Sequence, residues 1–304
     1  MSLIAFLGAI ETGLLFGLVA LGVFLSFRIL DFPDLTVDGS LPLGAAVSAT
    51  LIVAGWNPYA ATLVAMVAGA IAGLVTAWLN VRLKILHLLA SILTMIALYT
   101  INLRIMGKPN QALLGEETVF TPLEQLGLPY YVANLILFVT VGLIAKLVLD
   151  WFLKTETGLA MRATGANPRM ARAQGINTAA MTLMGMAISN SLVALAGALF
   201  AQAQGGADVS MGIGVIVVGL AAVIVGEAVM PARKIIIATL AVFVGSIIYR
   251  LVVALALNAD FIGLQAQDLK LITTVLVVVA MTVPTMRRRF QRRRNGSAAN
   301  GSAA

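Results

Sequence analysis

No cysteine occurs among the 304 residues, which excludes disulfide frameworks, zinc–thiolate sites, iron–sulfur clusters and cysteine nucleophiles. A single histidine, His87, excludes a histidine-rich metal site. Charge is scarce as well. Only 11% of the residues are charged, against about 25% in a typical soluble domain, so too few are present to solvate a surface. That shortage excludes an ordinary cytosolic globular protein, a disordered chain and a nucleic-acid-binding domain. What is present is apolar: 60% hydrophobic residues and a mean hydropathy of +0.99. The composition is that of an all-α, polytopic membrane helical bundle, and the length allows at most about ten spans of roughly 20 residues.

Charges, prolines and glycines mark off nine apolar runs, at 3–27, 41–55, 59–79, 85–106, 131–153, 180–203, 211–230, 235–257 and 269–286. They predict about nine transmembrane helices (8–10). The second run is short, so it is broken, tilted or extended by the segment before it. No basic region precedes the first run, which is long enough to span and reads as a retained helix. Gly69-Ala70-Ile71-Ala72-Gly73 and Ala194-Leu195-Ala196-Gly197-Ala198 supply the small residues that let helix backbones approach closely. With the N-terminus outside and the C-terminus inside, fifteen of the twenty basic residues fall inside. Among them are Arg28, Arg82, Lys84, Lys154, Arg162, Arg169, Arg172, Arg233 and Lys234, with six arginines between Arg287 and Arg294. Only Arg104, Lys108 and Lys270 fall outside, a strong positive-inside bias. The terminal arginines meet anionic lipid, and the Gly/Ser/Ala/Asn-rich end reads as disordered.

The longest inner-side insert, 155–177, has explicit turn chemistry. Thr155 or Thr157 can cap a short helix running to Thr164, which Gly165 ends in the left-handed conformation. Asn167 caps a second helix that starts at Pro168, and Gly175 closes it. Two short helices at an elbow form a compact knob, suited to docking in a groove on another protein. An ordinary inter-helix loop with positive-inside anchoring fits the same composition.

The run Gly158-x-x-x-Arg162-Ala163-x-Gly165-x-Asn167-Pro168-x-x-Ala171-Arg172-x-x-Gly175-Ile176 resembles the cytoplasmic coupling segment of permease subunits in branched-chain amino acid-type ATP-binding-cassette importers. Ser189 to Ala201 is similar to the same family, and Asp31 to Val47 is similar to a branch linked to aromatic amino acid uptake. The Glu-Ala-Ala start of many coupling loops is replaced here by Met170-Ala171-Arg172-Ala173. The resemblance implies a non-enzymatic permease domain over 1–290, with its coupling segment at 155–177 and a basic, disordered cytoplasmic tail at 291–304. It implies ATPase-coupling positions at Gly158, Arg162, Gly165, Asn167, Pro168, Arg172 and Gly175. The implied partners are a cytoplasmic ATPase that carries the ATP and magnesium, an extracytoplasmic solute-binding protein docking on outer loops such as 107–130 and 258–268, and a second permease copy, most simply a homodimer. The implied location is the bacterial cytoplasmic (inner) membrane. The chain contains no Gly-x-x-x-x-Gly-Lys-Ser/Thr loop, so no nucleotide site of its own is expected.

Ionisable and amide groups inside apolar runs are expensive and each needs a reason. Translocation-path candidates are Asp31, Asp34, Asp38, Asn102, Asn190 and Arg250. Three acids around Pro33 and Gly39 suggest an irregular segment that dips into the bundle, or a polar turn in which Asp34 or Asp38 caps the next helix. Arg250 must face a partner, a polar cavity or an anion. Lys146 and Asp150 lie on one helix face and pair or snorkel. Glu11 suits the outer interface, and Glu227 suits a helix end or a pair with Arg233.

Two other functions compete. Asp31, Asp34 and Asp38 resemble half of the aspartate-rich motif of magnesium-dependent prenyltransferases, but no second half is present. A stand-alone secondary transporter or channel would use broken helices, and the short second run with Gly205-Gly206 and Asp208 hints at them. That reading leaves the 155–177 knob without a role.

Overall fold

The computed structural model describes residues 3–124, 130–231 and 234–257, with 275 and 278. The ninth apolar run apart from those two positions, the tail, Arg233, Asp260, Asp268 and Lys270 lie outside the described residues. Helices dominate the rest. They are α1 (Leu3–Val23), continued by a π-helical turn Phe24–Ile29, then α2 (Val37–Val53), α3 (Pro58–Leu83) and α4 (His87–Met106). After β1 (Asn110–Ala112) come α5 (Thr121–Glu124), α6 (Tyr130–Phe152), α7 (Glu156–Ala166), α8 (Pro168–Ala173) and α9 (Thr178–Gln204). β2 (Gly206–Asp208), α10 (Val215–Val229) and α11 (Ile235–Leu257) complete the described order.

Six of these helices are long and apolar enough to cross a membrane, while α2 and α10 are shorter apolar helices. The architecture is an all-α membrane bundle. The short second run is extended backwards, as its length required: α2 starts at Val37.

Lipid offers helices no hydrophobic gain from meeting one another, so close backbone approach and buried hydrogen bonds hold such a bundle together. Glycines on α9 and its neighbours show this directly. A Cβ on Gly44 would strike the Ala194 carbonyl, one on Gly73 the Met186 carbonyl, and one on Gly197 the Leu41 carbonyl. These are backbone atoms that cannot swing aside, so α2 and α3 lie against α9 as closely as helices can. Ser189 adds a hydroxyl donated to the Gly22 carbonyl at 2.7 Å, and Ser246 one to the Gly13 carbonyl at 2.7 Å. The core runs along α1 and α9, where Leu18, Val19, Leu21, Val193 and Ala196 are all fully buried.

The two ends of the bundle differ. At one, β1 pairs antiparallel with β2, Asn110 opposite Asp208. This small ribbon fixes the segment after α4 to the end of α9, and Gln202 adds a bridge. Its Oε1 accepts from the Val119 amide at 3.0 Å while its Nε2 donates to Thr62 at 2.9 Å. At the other end, α7 and α8 form the elbow.

The chain does not run simply from end to end. After the π-turn brings α1 to the elbow end, residues 30–36 turn back without regular structure and climb to the middle of α9, where α2 begins and runs to the ribbon end. Residues 209–214 descend from the ribbon end in the same way, and α10 then runs to the elbow end. There its Glu227 meets Arg28 at 2.7 Å. Glu227 is thus paired with the π-turn arginine, because α10 ends beside the end of α1.

Candidate functional site

The elbow is built largely as its sequence requires. Thr155 caps α7, its Oγ1 accepting from the Gly158 amide at 3.2 Å. Asn167 caps α8, its Oδ1 accepting from the Arg169 and Met170 amides at 3.2 and 3.1 Å. Pro168 sits at the first helical position, and Gly175 has a φ of +82°, a left-handed conformation that favours glycine. Gly165 departs from expectation. It is helical, α7 continues through Ala166, and the break falls at Asn167, whose extended φ of −158° and ψ of 94° turn the chain. The reason for a glycine at 165 is contact: a Cβ there would strike the Ile29 carbonyl and Leu30 backbone. Gly158 likewise lies on the Phe152 carbonyl and Leu153 backbone. Both glycines therefore seat α7 on the ends of α1 and α6, while Met161 plugs the core, fully buried. The outer surface is left to Leu159, Arg169, Met170 and Arg172, all exposed, with Arg162 half-buried.

The climbing segment carries the acids one after another into the bundle. Asp31 is exposed at the elbow end, with a φ of +54°. Asp34 is fully buried: its Oδ1 accepts from the Thr36 amide at 2.9 Å and its Oδ2 from Asn190 Nδ2 at 2.8 Å. Ser40 donates to Asn190 Oδ1 at 2.7 Å, and Thr36 and Thr76 share a hydrogen bond of 2.8 Å. Asp38 is half-buried and reaches another helix altogether. It accepts from the Gly214 and Ile216 amides at 3.0 and 2.8 Å, capping the start of α10. The segment dips into the bundle, but its acids do not cap the next helix: Asp34 closes a turn on the Thr36 amide just before α2, and Asp38, inside α2, caps the distant α10, where an acid also suits the helix dipole.

Asn102 donates to the Gly39 carbonyl at 3.2 Å, and its buried Oδ1 has no hydrogen-bond partner among the described residues. Arg250 stands apart from this cluster. Its guanidinium lies 3.9 Å over the Phe16 ring, and Phe16 packs edge-on against Phe200. Phe200 is roughly 15 Å along α9 from Asn190, at 1.5 Å per residue. Two charges are simply paired. Lys146 donates to Asp150 at 2.5 Å, and that buried carboxylate also accepts from Thr239 at 2.7 Å; the pair is buried and does not snorkel. Glu11 accepts from Asn134 Nδ2 at 3.0 Å.

Under the elbow lies a cavity of about 570 Å³. Asp31 and Phe32 line it from the climb, Asn80 and His87 from the α3–α4 turn, Arg172 from α8 and Asn177 from the start of α9. Phe32 and His87 stack with ring centroids 4.4 Å apart. Two further cavities among the described residues are apolar, one against Val47, Ile71 and Leu98 and one against Leu63, Met66 and Leu137. Among the described residues no three of His, Cys, Asp and Glu stand close enough to hold a metal. Asp34 and Asp38 are spent on protein donors, so the three acids do not form a diphosphate-binding magnesium site.

The roles of Thr36, Ser40, Thr76 and Gln202 were not legible in the sequence, since a lone hydroxyl or amide in an apolar run has no periodic signal. The Asp38–α10 cap joins residues far apart in sequence. Its one local trace is Gly212-Ile213-Gly214, where Gly212 lies against the Asp38 carbonyl and Gly214 takes a φ of +84°.

Residues 5–282 match the family model described as branched-chain amino acid transport system, permease component. The chain is 39% identical to a tyrosine transport system permease protein of Clostridioides difficile, over 87% of this chain and 86% of that one. It is 34% identical to an uncharacterised Rickettsia prowazekii protein over 90% and 95% of the two chains. It is 29% identical to a probable branched-chain amino acid transport permease protein of Methanocaldococcus jannaschii over 63% and 64%. No solved structure matches it.

Proposed function

The chain belongs to the permease-component family of branched-chain amino acid transport systems, and from that premise we propose that it forms the translocation path of an importer for aromatic amino acids. The chain is a multi-pass, non-enzymatic permease component of an ATP-binding-cassette system for amino acids or similar solutes, of a family without a cofactor of its own. Likeness over nearly the whole chain to a permease named for tyrosine transport supports aromatic amino acids as the solute.

In this reading the elbow end is cytoplasmic and the ribbon end faces a solute-binding protein. The observation that carries it is the elbow itself. Gly158 and Gly165 bind α7 tightly to the bundle, while Leu159, Met170 and Arg169 are turned outward. A rigid knob with an exposed apolar and cationic crest suits a groove on an ATPase. Arg162, Asn167, Pro168 and Arg172 sit at that contact, and motion of the knob passes directly to the ends of α1 and α6. One chain has one knob, so two copies, as a homodimer in the inner membrane, meet the two ATPase subunits.

Native co-purification in mild detergent, read by mass spectrometry, is the first test. A stoichiometric ATPase lost on deleting 156–177 supports the reading; a chain that purifies alone under every extraction refutes it. Uptake of labelled tyrosine into vesicles carrying the reconstituted complex then tests the substrate.

A further inference from the structure

Coupling leaves unexplained the cavity of about 570 Å³ between the elbow and the bundle, which Pro168 and Arg172, at the rim of the coupling surface, also line. That volume lies within the roughly 300–1,000 Å³ usual for small-molecule sites. Its lining differs in kind from the two apolar cavities, because it holds both signs of charge. Asp31, from the climbing segment, and Arg172, from α8, both line it, and neither side chain makes a hydrogen bond or ion pair among the described residues. Asp31 is held at a φ of +54°, a conformation a non-glycine residue adopts at some cost and one that recurs at functional positions. The stacked Phe32–His87 pair lines the same cavity, with Phe32 almost wholly buried.

We infer that this cavity is an inner-face site for a zwitterionic α-amino acid. The guanidinium of Arg172 takes the carboxylate, a match of planar fork to planar anion. Asp31 takes the ammonium, and the side chain lies along the Phe32–His87 wall. The inference deepens the amino acid reading above and rests on it for the ligand class. Its consequence is regulatory. The walls belong to the elbow, the climbing segment, the α3–α4 turn and the start of α9, so a ligand bridging Arg172 and Asp31 ties the elbow to the bundle. Such a ligand binds one elbow position better than another and shifts the population toward it. Amino acid accumulating on the cytoplasmic side thereby slows the cycle.

The test is equilibrium binding of labelled tyrosine and leucine to the full permease–ATPase complex in lipid nanodiscs, without solute-binding protein. At least one binds saturably, while the two tyrosine analogues lacking either the carboxylate or the ammonium bind more weakly by about tenfold or more, about 1.4 kcal/mol. Arg172→Gln and Asp31→Asn each weaken binding by a similar factor, and Lys154→Gln, at an exposed position outside the cavity, leaves it unchanged. Saturating amino acid lowers ATP hydrolysis by the parent complex and not by Asp31→Asn. No binding of either amino acid, equal binding of the two analogues, or unchanged binding in both cavity variants overturns the inference. Vesicle uptake separates the two readings: transport without inner-face binding removes this site alone, and inner-face binding without amino acid uptake removes the substrate assignment alone.

Discussion

Asp34→Ala removes the acceptor on which two buried donors depend. The Thr36 amide and Asn190 Nδ2 lose their bonds of 2.9 and 2.8 Å at a site with no exposed surface. Hydrogen bonds to a charged group contribute about 1.5–3 kcal/mol each, and each donor left buried and unpaired carries a penalty of similar size. Relief comes from not burying the carboxylate, so the net loss expected is about 2–4 kcal/mol. Asp34→Asn behaves differently. Its amide oxygen can still accept from Thr36, while its nitrogen faces the Asn190 nitrogen. A flip of the Asn190 amide, with the Ser40 hydroxyl rotating from donor to acceptor, restores the bonds to position 34 and to Ser40 but forfeits the 3.1 Å bond from Asn190 Nδ2 to the Met186 carbonyl. Asp34→Asn should therefore recover part of the loss, and Asn190→Ala should add little to Asp34→Ala in a double-mutant cycle. Unfolding followed by tryptophan fluorescence in detergent measures all of these. Equal destabilisation by Asp34→Ala and Asp34→Asn, or additive losses with Asn190→Ala, would refute the network.

The remaining predictions concern packing, pairing, coupling and orientation. Gly165→Ala places a methyl on the Ile29 carbonyl and should destabilise by about 1–3 kcal/mol through overpacking, whereas Gly175→Ala meets no atoms and loses only about 1 kcal/mol to its positive φ; thermal unfolding separates them. Lys146→Met leaves Asp150 buried without its cation and should lose about 3–5 kcal/mol, most of it regained in Lys146→Met/Asp150→Leu, as unfolding of the three variants would show. Arg162→Glu and Pro168→Gly should leave a stable chain whose complex hydrolyses ATP without matching transport; normal uptake in both would reduce the elbow to a loop. The cysteine-free chain suits single-cysteine labelling: a cysteine at Leu114, 87% exposed, should react with an impermeant reagent from outside, and one at Met170, 62% exposed, only after the inner face is opened.

The sequence made the bundle and most of the elbow legible because their signals are local. Apolar runs, Thr155 and Asn167 as caps, Pro168 as a helix start and Gly175 as a stop all act within a turn or two of themselves. Gly165 misled because a glycine near a helix end suggests a cap, and its actual constraint is the backbone of Ile29, far away along the chain. The Glu227 pair with Arg28 was illegible for the same reason, since the two are far apart in sequence and near only in space. The polar climb was half legible. Pro33 and three acids announced irregularity, but Asn190, Gly214 and Ile216 as their partners are a property of the assembled bundle.

Those partners arrive late. Asn190 follows Asp34 by 156 residues, and the amides of Gly214 and Ile216 follow Asp38 by 176 and 178. While the ribosome is still making α3 to α8, Asp34 and Asp38 of the 30–53 segment have no donors to receive them except their own neighbouring amides or water. It is also too short in its apolar part to settle across a bilayer alone. During synthesis the first helix therefore enters the membrane beside a segment that stays near the aqueous face, and α2 takes its place only when α9 and α10 emerge. Nascent chains arrested before α9 should keep a cysteine at Val47 open to water-soluble reagents, and chains released after α10 should close it. The deepest part of the permease is thus the last to be built, although nearly the first to be translated.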